Sequence, residues 1–517
     1  MISLKCAIAQ NRDGSVFLFY ASVNSCYNSV MQKLNWQYKT SLEKVGLKIV
    51  KLLQSQGFAA FWVGGVVRDK LLGLRFTVTL PVKESVLRQT SDDTRGDNVK
   101  LSTNIDIATD ATPDQIEKIL NQAKIKVKPI GKQFGSILAI VNNWPIEITT
   151  FRAEGRYSDK RHPDQVTYIR TYIRDAERRD FTINALYFDP IKKQLFDPVG
   201  GLKDLKLKLL KFVGDPKKRI DEDALRMFRA VRFATELHFK LEKNSFAAIK
   251  TRAKYIQGVS GERIKAELDK ILFSKNRADG IMLLDKVGLL KFIIPEFEPL
   301  KSFSHQSKNY HLEGSQFEHT LLVLKKIKES NLDLLYAILF HDIGKPQKAQ
   351  KVLKKEGWVI STKGHADAGA DIFLQFAKRL KFPKSNRDTI EWLIRNHMLM
   401  FDYLHMRPIK QIRLAEHPAF DLLMRHWHYD EAGTKRSKYA DDHQRRYLRS
   451  RAIGLQLLDQ LKQKQNLIKK LSSGELIMKY SNLKPGPSLG QKIEEVKVQI
   501  VLGKIKNGQE LKYYLME

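Results

Sequence analysis

The hydrophobic period of the chain changes once, and this restricts the fold more than any other feature. Up to about residue 200, helical spacing alternates with short strand-like runs, whereas after Asp204 the spacing is predominantly helical to the C-terminus. Leu42 to Gln54 is spaced as a helix, and Phe58 to Val63 is a short apolar run that reads as a buried strand. Gly64-Gly65 breaks the run, Val66 to Leu72 resumes helical spacing, and Gly73 stops it. Asn104 to Ala108 is strand-like, and Thr112-Pro113-Asp114-Gln115 opens a helix with an N-cap, a first-turn proline and a capping-box Gln. Ser136 to Val141 and Ile146 to Phe151 flank Asn142-Asn143 as a hairpin. The first part is therefore a mixed α/β unit. The polar stretch 74–103 reads as a surface loop, and further loops are expected at 301–314, 345–364 and around Pro485-Gly486-Pro487.

Length and charge bound what such a chain does. At about 150 residues per domain, 517 residues make several domains. Lys and Arg number 90 against 57 Asp and Glu, a net +33, which points to a polyanion or an anionic membrane surface as partner. Two cysteines, Cys6 and Cys26, exclude a disulfide framework and a cysteine-rich zinc module, so a reducing cytoplasm fits best. No apolar run approaches bilayer length, and the N-terminal apolar stretch is broken by Asn11, Arg12 and Asp13, so neither a membrane span nor a secretion signal is expected.

Asp106 is bracketed by Ile105 and Ile107, and Glu147 by Ile146 and Ile148. In each strand the isoleucines face one way and the acid the other, so two acids project from the uncovered face of one sheet. If the strands are close, that face can hold Mg²⁺ with the phosphates of a nucleotide; solvated acids on a half-exposed sheet are the simpler reading. Gly64-Gly65 before a helix can offer backbone N–H groups to phosphate, although such turns are common without a ligand. Arg178-Arg179-Asp180-Phe181-Thr182-Ile183-Asn184 combines cations for phosphate with an acid and an amide for ribose or base, the alternative being a local ion-pair cluster. Glu222, Arg226 and Arg229 fall at i, i+4, i+7 on one helix stripe, where Asp223 and Arg226 could meet the Watson–Crick edge of a base; a salt-bridged surface helix is the default.

In order, these stretches resemble the class II tRNA nucleotidyltransferase and bacterial poly(A) polymerase family. The resemblance is carried by Gly64-Gly65-Val66-Val67-Arg68-Asp69, Asn104-Ile105-Asp106-Ile107-Ala108-Thr109, Gly131-Lys132-Gln133-Phe134-Gly135, Glu147 to Arg152, Arg178 to Ala185, Glu222 to Arg232 and Val259-Ser260-Gly261-Glu262-Arg263. It implies template-independent addition of nucleotides from ATP, with CTP left open, to the 3′ end of tRNA or another RNA. By matching position, Gly64, Gly65, Arg68 and Asp69 would hold the triphosphate, Asp106 and Glu147 the metal, and Arg179, Asp180 and Asn184 the sugar and phosphates. Asp223 and Arg226 would template the base, with Arg229 in the same nucleotide-binding set. The family shows Asp-x-Asp on its catalytic strand, and here the first position is Asn104; an amide oxygen coordinates a cation without contributing charge. The 74–103 insertion is a second departure, and acids within it, such as Asp97, could substitute.

Histidine is distributed unevenly, with only His162 and His238 of 13 before residue 300. Leu332 to Phe340 ends in His341-Asp342; His319 precedes it, and His365, His397 and Asp430 follow. Imidazoles and a carboxylate from separate helices suit one or two divalent transition metals, although any lone His is more often structural. The order His319, His341-Asp342, Asp430 is similar to the HD phosphohydrolase signature, with Gly364-His365-Ala366 and Asn396-His397-Met398 matching accompanying elements. It implies metal-dependent phosphatase or phosphodiesterase activity, or a structural spacer. Basic stretches at Lys435 to Lys438, Arg445 to Arg449 and Lys462 to Lys470 are usually solvated helix faces, and some are expected to track RNA phosphates.

The expected architecture is α+β: a nucleotidyltransferase head with a mixed sheet, then an all-helical neck and body with a helical HD domain. The expected boundaries are an extension at 1–38, the head at 39–200, a neck at 201–300, the HD domain at 301–435 and a basic helical region at 436–517. The alternatives are poly(A) addition to RNA, and a weakened polymerase acting as an RNA-binding HD phosphohydrolase. Oligomeric state is left open.

Overall fold

The structure is a computed structural model that describes residues 7–10, 16–19, 32–74, 105–155, 166–304, 314–354, 357–434 and 440–516. Asn104, the insertion beyond Leu74, most of the N-terminal extension and the Lys435 to Lys438 stretch lie outside the described residues. The chain divides into two compact units, Met1–Asp223 with Lys240–Ser245, and Ala224–Phe239 with Phe246–Glu517. The division falls at Asp223, inside the stretch read as a helical neck.

The first unit is built on an eight-stranded mixed sheet. Its order is Gln32–Lys33, Gln194–Phe196, Tyr187–Asp189, Ala60–Val63, Asp106–Thr109, Trp144–Thr150, Ser136–Val141 and Lys126–Lys128. The pair Asp106–Thr109 and Trp144–Thr150 is parallel, and the other neighbours are antiparallel. Ile105, Ile107, Ile146 and Ile148 are fully buried on one face, where the helices Ser41–Ser55 and Pro113–Gln122 pack. Both helices start on capping boxes, Thr40 with Glu43 and Thr112 with Gln115, which satisfy their first backbone N–H groups. Asn142 and Asn143 both have positive φ, at 50° and 65°, the turn conformation that matches the twist of a two-residue hairpin.

The face carrying the acids is open in part, as expected: Glu147 is exposed and Asp106 half-buried, and the cover lies beside them. Ala108 shares it with Asp106 by the two-residue period, and Ala108 is buried with Phe61, Val63, Phe151 and Tyr187 in an apolar cluster beside the acids. The second unit is predominantly helical, and its C-terminal part closes around Ile477, Val496, Ile500 and Leu511.

Two further expectations are corrected. Glu222, Arg226 and Arg229 do not form one helix stripe: the Pro216–Glu222 helix ends at Asp223, whose backbone is extended at φ −147° and ψ 106°, and a new helix spans Leu225–Leu237. Glu222 instead pairs with Arg219 at 2.6 Å. The expected loop at 345–364 holds a short helix, Lys345–Lys348, and a hairpin of Gln350–Lys354 with Gly357–Ser361.

Candidate active sites

In the first unit Asp106 pairs with Glu147 in register across the two parallel strands, which places both acids on one face about 4.8 Å apart along the hydrogen-bonding direction. Burial, and then the like charge of Glu147, push the Asp106 carboxyl up to about 7, with Arg179 opposing the rise. A cation sharing the site would offset the burial and like charge that raise Asp106, and an all-oxygen pair suits a hard cation. Gly64 lies against them: with φ at +75°, a Cβ there would sit 3.6 Å from Asp106 Oδ2 and 3.9 Å from Arg179 Nη1.

Arg179 is held from behind. Its Nε donates to Tyr187 Oη at 2.9 Å and its Nη2 to Asp175 Oδ2 at 3.1 Å, while Tyr187 Oη donates to the same carboxylate oxygen at 2.5 Å. Arg178 also grips Asp175, at 2.7 Å. Burial alone would raise the Asp175 carboxyl, but Arg179 and Arg178 hold it down at about 2. A second chain of contacts joins Asp69 and Arg68 (2.7 Å), Arg68 Nη1 and Asn184 Oδ1 (2.7 Å), and Asn184 Nδ2 and Asp180 Oδ1 (3.2 Å). Gly65 opens the Gly65–Leu71 helix that carries Arg68 and Asp69. The motif residues of the head are thus brought together, apart from Asn104, which lies outside the described residues. Asp223 ends the Pro216–Glu222 helix; Arg226, buried, and Arg229, half-buried, stand in the first turns of the next. Asp175 and Tyr187 were missed by the sequence reading; the spacing of Asp175 at i−3 and i−4 from Arg178 and Arg179 was the available signal.

In the second unit His319, His341, Asp342, His365, His397 and Asp430 converge from five helices and are all buried. His319 Nε2 lies 3.0 Å from Asp430 Oδ1, and His341 Nε2 lies 3.0 Å from Asp342 Oδ2 and 3.4 Å from Asp430 Oδ1. The other oxygen of Asp342 is 3.4 Å from His365 Nε2 and 3.9 Å from His397 Nε2. Two ligand-spaced triads therefore share Asp342: His319 with His341, and His365 with His397.

The histidine tautomers follow from the backbone. Nδ1 of His341, His365 and His397 faces the carbonyls of Ile338, Thr362 and Ile394 at 2.7, 2.9 and 2.7 Å, so each Nδ1 donates its proton outward and each Nε2 points into the cluster, where it is the atom that would take a metal. The two Nε2 atoms of His365 and His397 are only 3.2 Å apart, an approach that two lone pairs tolerate only with a cation or proton between them. The donor set of imidazoles around a shared carboxylate fits divalent transition metals. Gln316 and Lys345 hold Asp342 Oδ2 at 2.5 and 2.7 Å. His426, fully buried with ring centroids 5.4 and 5.5 Å from His341 and His397, was also missed, although it stands at i−4 from Asp430 on the same helix.

Three family profiles match the chain: the Poly A polymerase head domain at residues 60–211, the probable RNA and SrmB-binding site of polymerase A at 238–301, and the HD domain at 317–439. The chain is 32% identical over 324 residues to a CCA-adding enzyme of Bacillus pumilus, covering 63% of this chain and 69% of that protein. It is 37% identical over 275 residues to a CCA-adding enzyme of Ligilactobacillus salivarius, covering 53% of this chain and 59% of that one. The match thus spans about three-fifths of the length of the latter relative. Its fold is similar to that of the Bacillus stearothermophilus CCA-adding enzyme in complex with CTP, with TM-score 0.64, 21% identity and coverage of 92% and 98%. It is also similar to the Thermotoga maritima CCA-adding enzyme complexed with tRNA, with TM-score 0.57, 16% identity and coverage of 94% and 98%.

Proposed function

The chain belongs to the CCA-adding enzyme family, and from that premise we propose that it adds CCA, or its terminal A, to tRNA 3′ ends using CTP and ATP. The observation that carries this is the in-register pair Asp106 and Glu147 beside Gly64 and Arg179. Asp106 and Glu147 would hold Mg²⁺, which supplies charge stabilisation at the pyrophosphate leaving group and makes the RNA 3′-hydroxyl more acidic. Gly64 and Gly65 leave the backbone open to the triphosphate, and Arg68 and Asp69 bind its end. Arg179, pinned by Asp175 and Tyr187, presents its remaining nitrogen toward the acids and takes phosphate oxygens. Asn184, with its carbonyl engaged by Arg68, and Asp180 orient the sugar. Asp223 and Arg226, with Arg229, read the incoming base. The net charge of +33 serves to hold RNA, and the protein works in the cytoplasm; among the described residues no helix is long and apolar enough to cross a membrane.

A second activity is favoured by the two triads that share Asp342. His319, His341, Asp342 and Asp430, with His365 and His397, would hold one or two divalent transition metals, whose chemistry is to acidify water for attack on a phosphate ester. We assign nucleotide addition to the head at 39–200 and the neck at 201–300, and phosphate hydrolysis to 301–435. Incubation of tRNA lacking its 3′ end with labelled CTP and ATP tests the first assignment. A long A-only tail on unrelated RNA would favour poly(A) addition instead, and phosphate release without any nucleotide addition would favour the hydrolase alone.

A further inference from the structure

The hairpin of Gln350–Lys354 and Gly357–Ser361 exposes apolar side chains on one of its faces. Antiparallel register pairs Leu353 with Trp358 and Lys351 with Ile360, so these four residues share one face. Trp358 is 70% exposed and Leu353 69%, while Val352 and Val359 on the opposite face are half-buried. An aromatic and an aliphatic side chain held side by side in water on a paired, ordered strand mark a contact surface.

Charge selects the occupant. Gln350 to Lys363 carries four lysines and one glutamate in sequence, and the exposed Lys348, Lys351 and Lys363 stand on the hairpin or at its foot. A groove of about 440 Å³ opens there between Lys348 and Lys363. The acids on its wall, Asp367 and Asp371, are both ion-paired with Arg395, at 2.8 and 3.1 Å. A flat aromatic face among lysines matches an unpaired nucleic-acid strand, with bases to stack and phosphates to pair.

Both legs of the hairpin are rooted at the histidine cluster. The first follows the Lys345–Lys348 helix, whose Lys345 binds Asp342 at 2.7 Å; the second leads into Thr362, whose carbonyl orients His365. We propose that this hairpin is a stacking platform for unpaired RNA, with Trp358 against a base, that delivers RNA ends to the cluster containing His341, Asp342 and His365. This rests on the reading of the chain as an RNA-handling enzyme.

The test uses the full chain and a short unstructured RNA carrying 4-thiouridine. Trypsin releases Trp358 in the peptide Glu356–Lys363, and irradiation is expected to attach the RNA to that peptide. Trp358→Ala is expected to weaken binding of the same RNA about 10-fold, and Trp358→Phe to keep it within about twofold, as stacking requires. No adduct on this peptide, or unchanged affinity in Trp358→Ala, overturns the proposal. Loss of self-association in Trp358→Ala with RNA affinity unchanged also overturns it, assigning the face to a second copy of the chain. Nucleotide addition to tRNA, measured on the same preparation, fails only if the function proposed above is wrong.

Discussion

Asp106 and Glu147 stand opposite each other on a parallel pair of strands in the head sheet, with isoleucines on both sides of each acid turned to the other face. Register is fixed by that buried isoleucine face, since a one-residue slip would bury an acid. Asp106→Asn keeps the shape and removes the charge. Loss of several kcal/mol of transition-state stabilisation corresponds to roughly 10³-fold slower nucleotide addition. Single-turnover rates on tRNA lacking its 3′ end check this, with far-UV circular dichroism unchanged; a rate within threefold of wild type would remove Asp106 from the chemistry.

Asp175 ties two arginines and a tyrosine in the interior, and these arginines hold its carboxyl at about 2, below its ordinary value of 3.8. A depressed folded-state value stabilises the fold above the unfolded value and is lost as pH falls from about 4 toward 2. The shift corresponds to roughly 2 kcal/mol. Urea melts of wild type and Asp175→Asn should therefore differ most at neutral pH, with the gap narrowing through this acid window. A gap independent of pH would mean that Asp175 acts by shape alone.

The histidine cluster lies in the second compact unit, apart from the carboxylate pair in the first. Asp342→Ala removes the group shared by both triads. Elemental analysis after loading with Co²⁺ or Ni²⁺ should show loss of bound metal, with nucleotide addition within about twofold of wild type, since the two sites share no residue and belong to separate compact units. Unchanged metal content would contradict the assignment.

Gly344 follows His341-Asp342 where two helices touch. A Cβ at Gly344 would lie 2.3 Å from the His365 carbonyl oxygen and 2.7 Å from the Gly369 nitrogen, both backbone atoms. Gly344→Ala should cost about 1–3 kcal/mol through overpacking. Gly508→Ala, which meets nothing within 4 Å, serves as the control. Equal melting temperatures for the two variants would contradict this packing.

The sheet was legible because its strands alternate: Ile105, Asp106 and Ile107, and Ile146, Glu147 and Ile148, each announce one buried and one chemical face. Asn142-Asn143 and Thr112 to Gln115 were legible because turns and caps use local chemistry. The hairpin at 350–361 escaped because Val352, Leu353, Trp358 and Val359 make both faces apolar, which erases the two-residue period. The break at Asp223 escaped because Glu222, Arg226 and Arg229 keep helical spacing across an extended residue. Asp175 and His426 carried a local signal, helical spacing to Arg178, Arg179 and Asp430, but their burial is not encoded there, and Tyr187 reaches the helix-borne Asp175 from a strand through a contact that no local period encodes.

The most direct test of the account is nucleotide incorporation into tRNA lacking its 3′ end, with CTP and ATP and either Mg²⁺ or Mn²⁺, on wild type, Asp106→Asn and Asn104→Asp side by side. The expected result is addition confined to CCA or its terminal A in wild type, its loss in Asp106→Asn, and its retention or increase in Asn104→Asp. Absence of incorporation by wild type and Asn104→Asp with both metals would contradict it.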